Sequence, residues 1–334
     1  MPRIGQNPMK WVAGVHQPER ITVCTIVFIP SLDGYWEQSL DVLKLCLNSL
    51  FENTETPFDL MVFDNGSCEE VQDYLLSLRR QDQIDYLILS THNIGKVGAW
   101  NFLFQAAPGE IVAYADSDVL FLPGWLERSL EVLEAFPEAG MVTAQPARRD
   151  LSLDGDALSN IERTVSLKVE KGELLPPEYL EVHRIGLGVQ RDEYQRQITG
   201  RHDVRISRGD ITVYVAASHF QFLTKKAILH LIFPLHVTIP LGPVDDLELD
   251  KAVNRLGYWR LSTAEYLVHH IGNRLPTDQE ELPCPVPSII KPMSRVSRQQ
   301  THSGFGLRVL GRKAFTRRMM KRLNVLTYRI LYEK

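Results

Sequence analysis

Residues Gly109 to Leu126 read GEIVAYADSDVLFLPGWL, and the rest of the chain is organised around this stretch. Ile111 to Ala115 is a short apolar run of the kind that forms a buried parallel strand, covered by helices on both faces. It leads directly into Asp116-Ser117-Asp118. Residues two apart in an extended chain point to the same side, so the two carboxylates could converge on one cation. Open α/β sheets bind ligands at the carboxyl ends of their strands, where this pair lies. Pro123-Gly124-Trp125-Leu126 then breaks the strand and opens a helix whose apolar positions continue through Leu130, Leu133 and Phe136. Oxygen ligands of this type suit Mg²⁺ or Mn²⁺ carrying a diphosphate. Asp-x-Asp alone is equally the mark of a solvated turn, so the neighbouring segments have to decide.

Upstream, strand and helix patterns alternate. Ile21 to Ile29 is a β-branched run closed by Pro30, and Leu40, Leu43, Leu47 and Leu50 recur at helical spacing. Phe58 to Phe63 reads as a second strand ending in Asp64-Asn65-Gly66-Ser67, a helix follows from Glu69 to about Arg80, and Tyr86 to Leu89 reads as a third strand. The stretch His92 to Asn101 then opens another helix, which makes Ile111 to Ala115 the fourth strand. This alternation is the signature of a doubly wound α/β sheet. Beyond Gln145 it fades. Residues 150–210 are polar and helix-like, Thr212 to Ala216 resembles a further strand, Asp245-Asp246 open a helix, and Tyr266-Leu267-Val268 lead into His269-His270.

Composition bounds the class. The 334 residues are 44% hydrophobic and 23% charged, ordinary for a globular protein with a sizeable core. Cys24, Cys46, Cys68 and Cys284 form no CxxC pair and suggest reduced thiols. No apolar run reaches the ~18 residues of a membrane span, and the N-terminus lacks the apolar core of a signal peptide. These features point to a cytoplasmic protein. The net charge of −4 conceals an asymmetry: from Lys291 onward there are 12 basic residues against Glu333, giving 12 − 1 = +11 and leaving −15 for residues 1–290. An acidic body with a basic arm results. No base-reading module accompanies that arm, so nucleic acid is not the expected partner.

Four separated elements together resemble the family-2 glycosyltransferases of the GT-A fold, over roughly residues 21–275. They are the Asp64 to Ser67 loop, Asn93-x-Gly95-x-x-Gly98-x-x-Asn101, Asp116-Ser117-Asp118, and Asp245-Asp246-Leu247-Glu248-Leu249, the last similar to an ED-x-DL element. The resemblance implies a GT-A (Rossmann-like), mostly parallel twisted sheet with helices on both faces, with a nucleotide-sugar-binding half (21–145) and an acceptor-binding half of the same domain (146–275). Outside it the residues themselves read as an irregular lead-in (1–20), a linker rich in Pro, Ser and Gln (276–304) and a basic amphipathic C-terminal helix as tail (305–334).

The activity implied is metal-assisted, inverting transfer of a sugar from a nucleotide-diphosphate sugar to the hydroxyl of a saccharide or lipid-linked acceptor. Asp118 and Asp116 would hold Mn²⁺ or Mg²⁺. Asp64, with the backbone near Pro30, would flank the nucleotide base. Asn93, Gly95, Lys96 and Ser117 would border the phosphates and ribose, and a helix start after Gly95 presents free N–H groups there. Asp246 takes the place of the general base beside Asp245, although acids at a helix start also simply favour the dipole. His269 in His-x-x-Gly is the preferred third metal ligand, with His270 behind it, although a histidine after a short strand is as often only a half-buried polar residue. His219 and Gln221 are candidate sugar contacts. Phe315, Met319, Leu323, Leu326 and Ile330 would form an apolar stripe on a basic helix, suited either to an anionic membrane surface, peripherally on its inner face, or to packing on the domain. A non-catalytic nucleotide-sugar-binding or scaffold protein on the same fold is the alternative reading.

Overall fold

The structure is a computed structural model that describes residues 15, 17–236 and 247–275. Asp245, Asp246, Cys284, the linker 276–304 and the basic tail lie outside the described residues, as do residues 1–14 and 16 of the lead-in. Strands β1 (Ile21–Val27), β2 (Asp59–Asp64), β3 (Tyr86–Leu89) and β4 (Ile111–Asp116) form a parallel group in the order β3-β2-β1-β4. The sheet continues through β10 (Gln221–Lys225), β6 (Ala139–Thr143), β11 (Trp259–Thr263), β9 (Ile211–Val215), β8 (Asp203–Arg208) and β7 (Lys168–Gly172). Following the pairings outward, β10, β9 and β7 oppose the rest, so seven of the ten strands run the same way. A separate two-stranded ribbon pairs β5 (Val119–Phe121) with β12 (Val268–His270).

Alternation along the strands divides the core. Ile21 and Val23 of β1, with Ile111, Ala113 and Ala115 of β4, face one cluster. It is filled by α1 (Ser39–Glu52), α2 (Glu69–Arg80) and α4 (Trp125–Ala135) through Leu43, Leu47, Val71, Leu75 and Trp125. Cys24, Val112 and Tyr114 face the other cluster, where α3 (Gly95–Ala106), α8 (Lys226–Ile232) and α9 (Leu247–Arg255) contribute Trp100, Leu103, Leu229 and Val253. Helices therefore cover both faces of the central strands.

The register sets the position of the site. Ile26 pairs with Asp116 and Val27 with Asp64, so three neighbouring strands end on one carboxyl edge. Between β6 and β9 lies an insertion of α5 (Gly155–Arg163), β7, α6 (Pro177–Leu187), α7 (Arg191–Ile198) and β8. Residues 150–210 are thus helical only in part: two strands of this stretch extend the sheet, against the helix-like reading of their composition. Among the described residues no helix is long and apolar enough to cross a membrane.

Candidate active site

The carboxyl edge gathers Asp116, Asp118 and His270, whose ligand atoms all lie within 4.8 Å of one another. Asp116 ends β4, and Asp118 sits one residue before β5. The ribbon register places His270 opposite Val119, and Ile271 N–H donates to Asp118 O at 2.9 Å. His270 Nε2 lies 3.3 Å from Asp118 Oδ2. Its Nδ1 is 2.9 Å from Gly186 O, and since a carbonyl only accepts, Nδ1 is the donor there and Nε2 is the nitrogen that faces the carboxylates. Gly186 belongs to α6 and has no room for a side chain: a Cβ there would stand 2.8 Å from His270 O. The insertion therefore helps to orient the histidine.

His269, the preferred ligand in the sequence reading, is corrected by this register. Adjacent residues of a strand face opposite ways, and His269 is buried with Nδ1 2.8 Å from Tyr266 Oη. Burial holds its pKa down at about 4. His270 stands in the position assigned to it.

The two carboxylates differ. Asp116 Oδ2 accepts from Lys96 Nζ at 2.9 Å and Oδ1 from Tyr114 Oη–H at 2.5 Å. Lys96 is thus half-buried against the edge rather than solvated. Asp118 Oδ1 is buried with no hydrogen-bond partner among the described residues. Burial raises its pKa, the nearby His270 opposes the rise and Asp116 adds to it. Two carboxylates and an imidazole, one oxygen lacking a donor, fit a divalent cation such as Mn²⁺ or Mg²⁺.

Two cavities adjoin this group. The first, about 340 Å³, is walled by Phe28 and Trp36 and floored by Asn65, Asn93, Gly95 and Ser117. The Phe28 and Trp36 rings meet edge to face, centroids 5.7 Å apart. Neither aromatic was picked out from the sequence; their position just past the first strand's end was the available signal. Asp64 does not reach this cavity. It is wholly buried, its carboxylate accepting from Ser67 N–H at 3.2 Å and Gln72 Nε2 at 3.0 Å, which corrects its assignment to the base. Pro30 is exposed and outside the cavity wall. Asn65 takes over at the loop: its Oδ1 accepts from Ile94 N–H at 2.9 Å, and Asn93 Oδ1 accepts from Gly95 N–H at 2.8 Å. Gly66, at φ 85°, lies against the backbone of His92 and Asn93, where a Cβ would stand 3.1 Å from Asn93 N.

The second cavity, about 330 Å³, shares Lys96, Asp116 and His270 with the metal group and is completed by Gln145, Arg149 and His219, among others. His219 Nδ1 is 3.7 Å from Asp250 Oδ2. Phe220 lies on this wall, edge to face with His270 at 5.3 Å, whereas Phe222 is core. Gln221 is corrected: it is fully buried in β10, where Oε1 accepts from Thr143 Oγ1 at 3.1 Å and Ala144 N–H at 2.8 Å.

The chain matches the model of glycosyl transferase family 2 over residues 27–187. It is similar to an uncharacterized glycosyltransferase of Nostoc sp., 30% identical over 100 residues, 30% of this chain and 31% of the relative. It is also similar to an uncharacterized glycosyltransferase of Rickettsia bellii, 24% identical over 34% of this chain and 16% of the relative. The alignments thus span about a third or less of the curated relatives' length. Among solved structures, the mannosyltransferase PcManGT from Pyrobaculum calidifontis, in complex with GDP-Man and Mn²⁺, aligns at 16% identity and TM-score 0.43 over 78% of this chain and 61% of its own. TarS 1–349 of S. aureus aligns at 13% identity and TM-score 0.41 over 75% and 60%. The segment matched to glycosyl transferase family 2, residues 27–187, holds the DxD carboxylates and both neighbouring strands of β1.

Proposed function

We propose that this protein transfers a sugar from a nucleotide-diphosphate sugar to the hydroxyl of a saccharide or lipid-linked acceptor, with inversion at the anomeric carbon. The observation that carries the reading is the Asp116/Asp118/His270 group set between two cavities at the carboxyl edge of a sheet whose matching segment is a glycosyl transferase one. Phe28 and Trp36 suit the faces of a nucleoside, and Asn65 and Asn93 hold the loop beside it. Asp116, Asp118 and His270 would hold Mn²⁺ or Mg²⁺. The chemistry such an ion supplies is stabilisation of charge on the departing diphosphate. Lys96 offers a second positive charge on the same side.

In the second cavity the reacting sugar lies against Gln145, His219 and Phe220. Asp246, with Asp245 beside it, is the proposed base that takes the acceptor's proton. Both precede α9, and the chain on either side is anchored: Asn101 bonds Leu235 N–H and O at 2.8 and 2.9 Å, and Asp250 of α9 meets Arg260 at 2.7 Å. The halves 21–145 and 146–275 then divide donor from acceptor.

The test is a panel of nucleotide-diphosphate sugars, read by thermal stabilisation and by transfer or hydrolysis, with Mn²⁺, Mg²⁺ or EDTA. Wild type is expected to be stabilised by one nucleotide class only with metal present. Asp118→Ala should keep the fold and lose both the metal-dependent stabilisation and turnover, by at least ~10²-fold. Turnover by Asp118→Ala at the wild-type rate, or wild-type activity indifferent to EDTA, would overturn the reading.

A further inference from the structure

Of the three arginines Arg148, Arg149 and Arg260, two are neutralised by aspartates. Arg148 forks onto Asp203, Nε to Oδ1 and Nη2 to Oδ2, both at 3.0 Å. Arg260 forks onto Asp154 at 3.1 and 2.8 Å and meets Asp250 at 2.7 Å. Arg149 is different. Its guanidinium bonds the Ser218 hydroxyl, and no carboxylate lies within ion-pair distance among the described residues. Asp250 acts on it only at longer range and is already engaged by Arg260. Arg149 nevertheless faces the second cavity beside Gln145, whose Oε1 is buried without a donor. Burial lowers the Arg149 pKa, the signature of a cation held at a cost, although a guanidinium remains charged.

We infer that the second cavity selects a saccharide bearing an anionic group, a carboxylate or a phosphate, which Arg149 grips through its guanidinium. A planar fork of N–H donors matches the two oxygens of such a group. Gln145 Oε1 accepts a neighbouring sugar hydroxyl, which fixes the ring's orientation. The inference rests on the glycosyltransferase reading for its statement that the guest is a sugar. The shared wall of Lys96, Asp116 and His270 sets that sugar next to the diphosphate.

Two arms of one experiment separate the sources of the anion, using the full chain and its Arg149→Met and Arg149→Lys variants. In the first, glucuronate, glucose 6-phosphate and glucose are titrated by calorimetry in EDTA, with and without UDP. In the second, UDP-glucuronate is compared with UDP-glucose, and GDP-mannuronate with GDP-mannose, with Mn²⁺ present. Wild type is expected to favour the acidic member by at least ~10-fold in one arm. A preference among nucleotide sugars assigns the anion to the donor, and one confined to free sugars assigns it to the acceptor. Arg149→Met should erase the preference, so that acidic and neutral members bind alike, with Arg149→Lys between. Equal affinity for acidic and neutral members in both arms, or a preference unchanged in both folded variants, overturns the inference. So does Arg149→Met weakening UDP itself, which would give the guanidinium to the diphosphate. If no nucleotide binds under any condition, the glycosyltransferase reading fails, and the free-sugar arm still decides for or against the anion site.

Discussion

At the scale of single residues, the acid pair at 245–246 carries the sharpest expectation. Asp246→Asn keeps the shape and removes the proton acceptor, so donor binding should persist while turnover falls by at least ~10²-fold. Single-turnover assays decide it. A larger loss from Asp245→Asn would shift the base by one residue, and no loss from either would leave the pair as a helix start. A second expectation concerns acid. His183 is buried, its Nδ1 2.8 Å from Tyr194 Oη, and burial holds its pKa at about 3. Its folded pKa is depressed below the ordinary histidine value of ~6.5, so the unfolded chain binds the extra proton between those limits. Stability is therefore retained above pH ~6.5 and lost as pH falls toward 3, by up to ~1.4 kcal/mol per unit from this group. Urea melts between pH 7 and 4 should show a shallower decline for His183→Gln than for wild type. Equal slopes would remove His183 from the acid response. The paired histidines mark the limit of reading residues from sequence. The family resemblance implies an imidazole near the carboxylates, but only the ribbon register says which, because successive side chains point opposite ways. Asp64 was misplaced for a related reason: a carboxylate at a strand end can close its own loop as readily as it can face a ligand.

Among elements, the buried bridge Asp154–Arg260–Asp250 joins the turn before α5, strand β11 and helix α9. Both Asp154 and Arg260 are almost wholly buried. Asp154→Ala removes one partner and leaves Arg260 incompletely paired, a change that typically costs ~3–5 kcal/mol. Denaturant unfolding should show a loss of that order, and a loss below ~1 kcal/mol would mean that Asp250 alone holds the arginine. Turnover should fall with it, since α9 follows the acid pair directly. The first four strands were legible because they are apolar, β-branched and covered on both faces. Strands β7 and β8 were not: Lys168–Gly172 reads KVEKG, lies at the sheet edge, and owes its extension to pairing with β8 rather than to its own pattern. Strand β10, QFLTK, was hidden because it runs against its neighbours and buries Gln221 and Thr224.

For the molecule as a whole, the charge asymmetry remains the feature to test. A basic amphipathic helix over 305–334 would gain up to ~1 kcal/mol per Lys or Arg at an anionic surface. Co-sedimentation with anionic liposomes should retain the full chain and release one ending at Gln300, with retention weakening as salt rises. Equal behaviour of the two forms would assign the tail to a domain or partner contact instead. Membrane residence would suit a lipid-linked acceptor.

The ribbon of β5 and β12 has an evolutionary corollary. In an antiparallel pair, the residue opposite Val119 projects to the same side whichever residue it is. One extra residue in the connection between β11 and β12 would advance the chain by a single step and put His269 where His270 now stands. Consecutive histidines therefore make the site tolerant of an insertion there, a length change that a lone histidine would not survive.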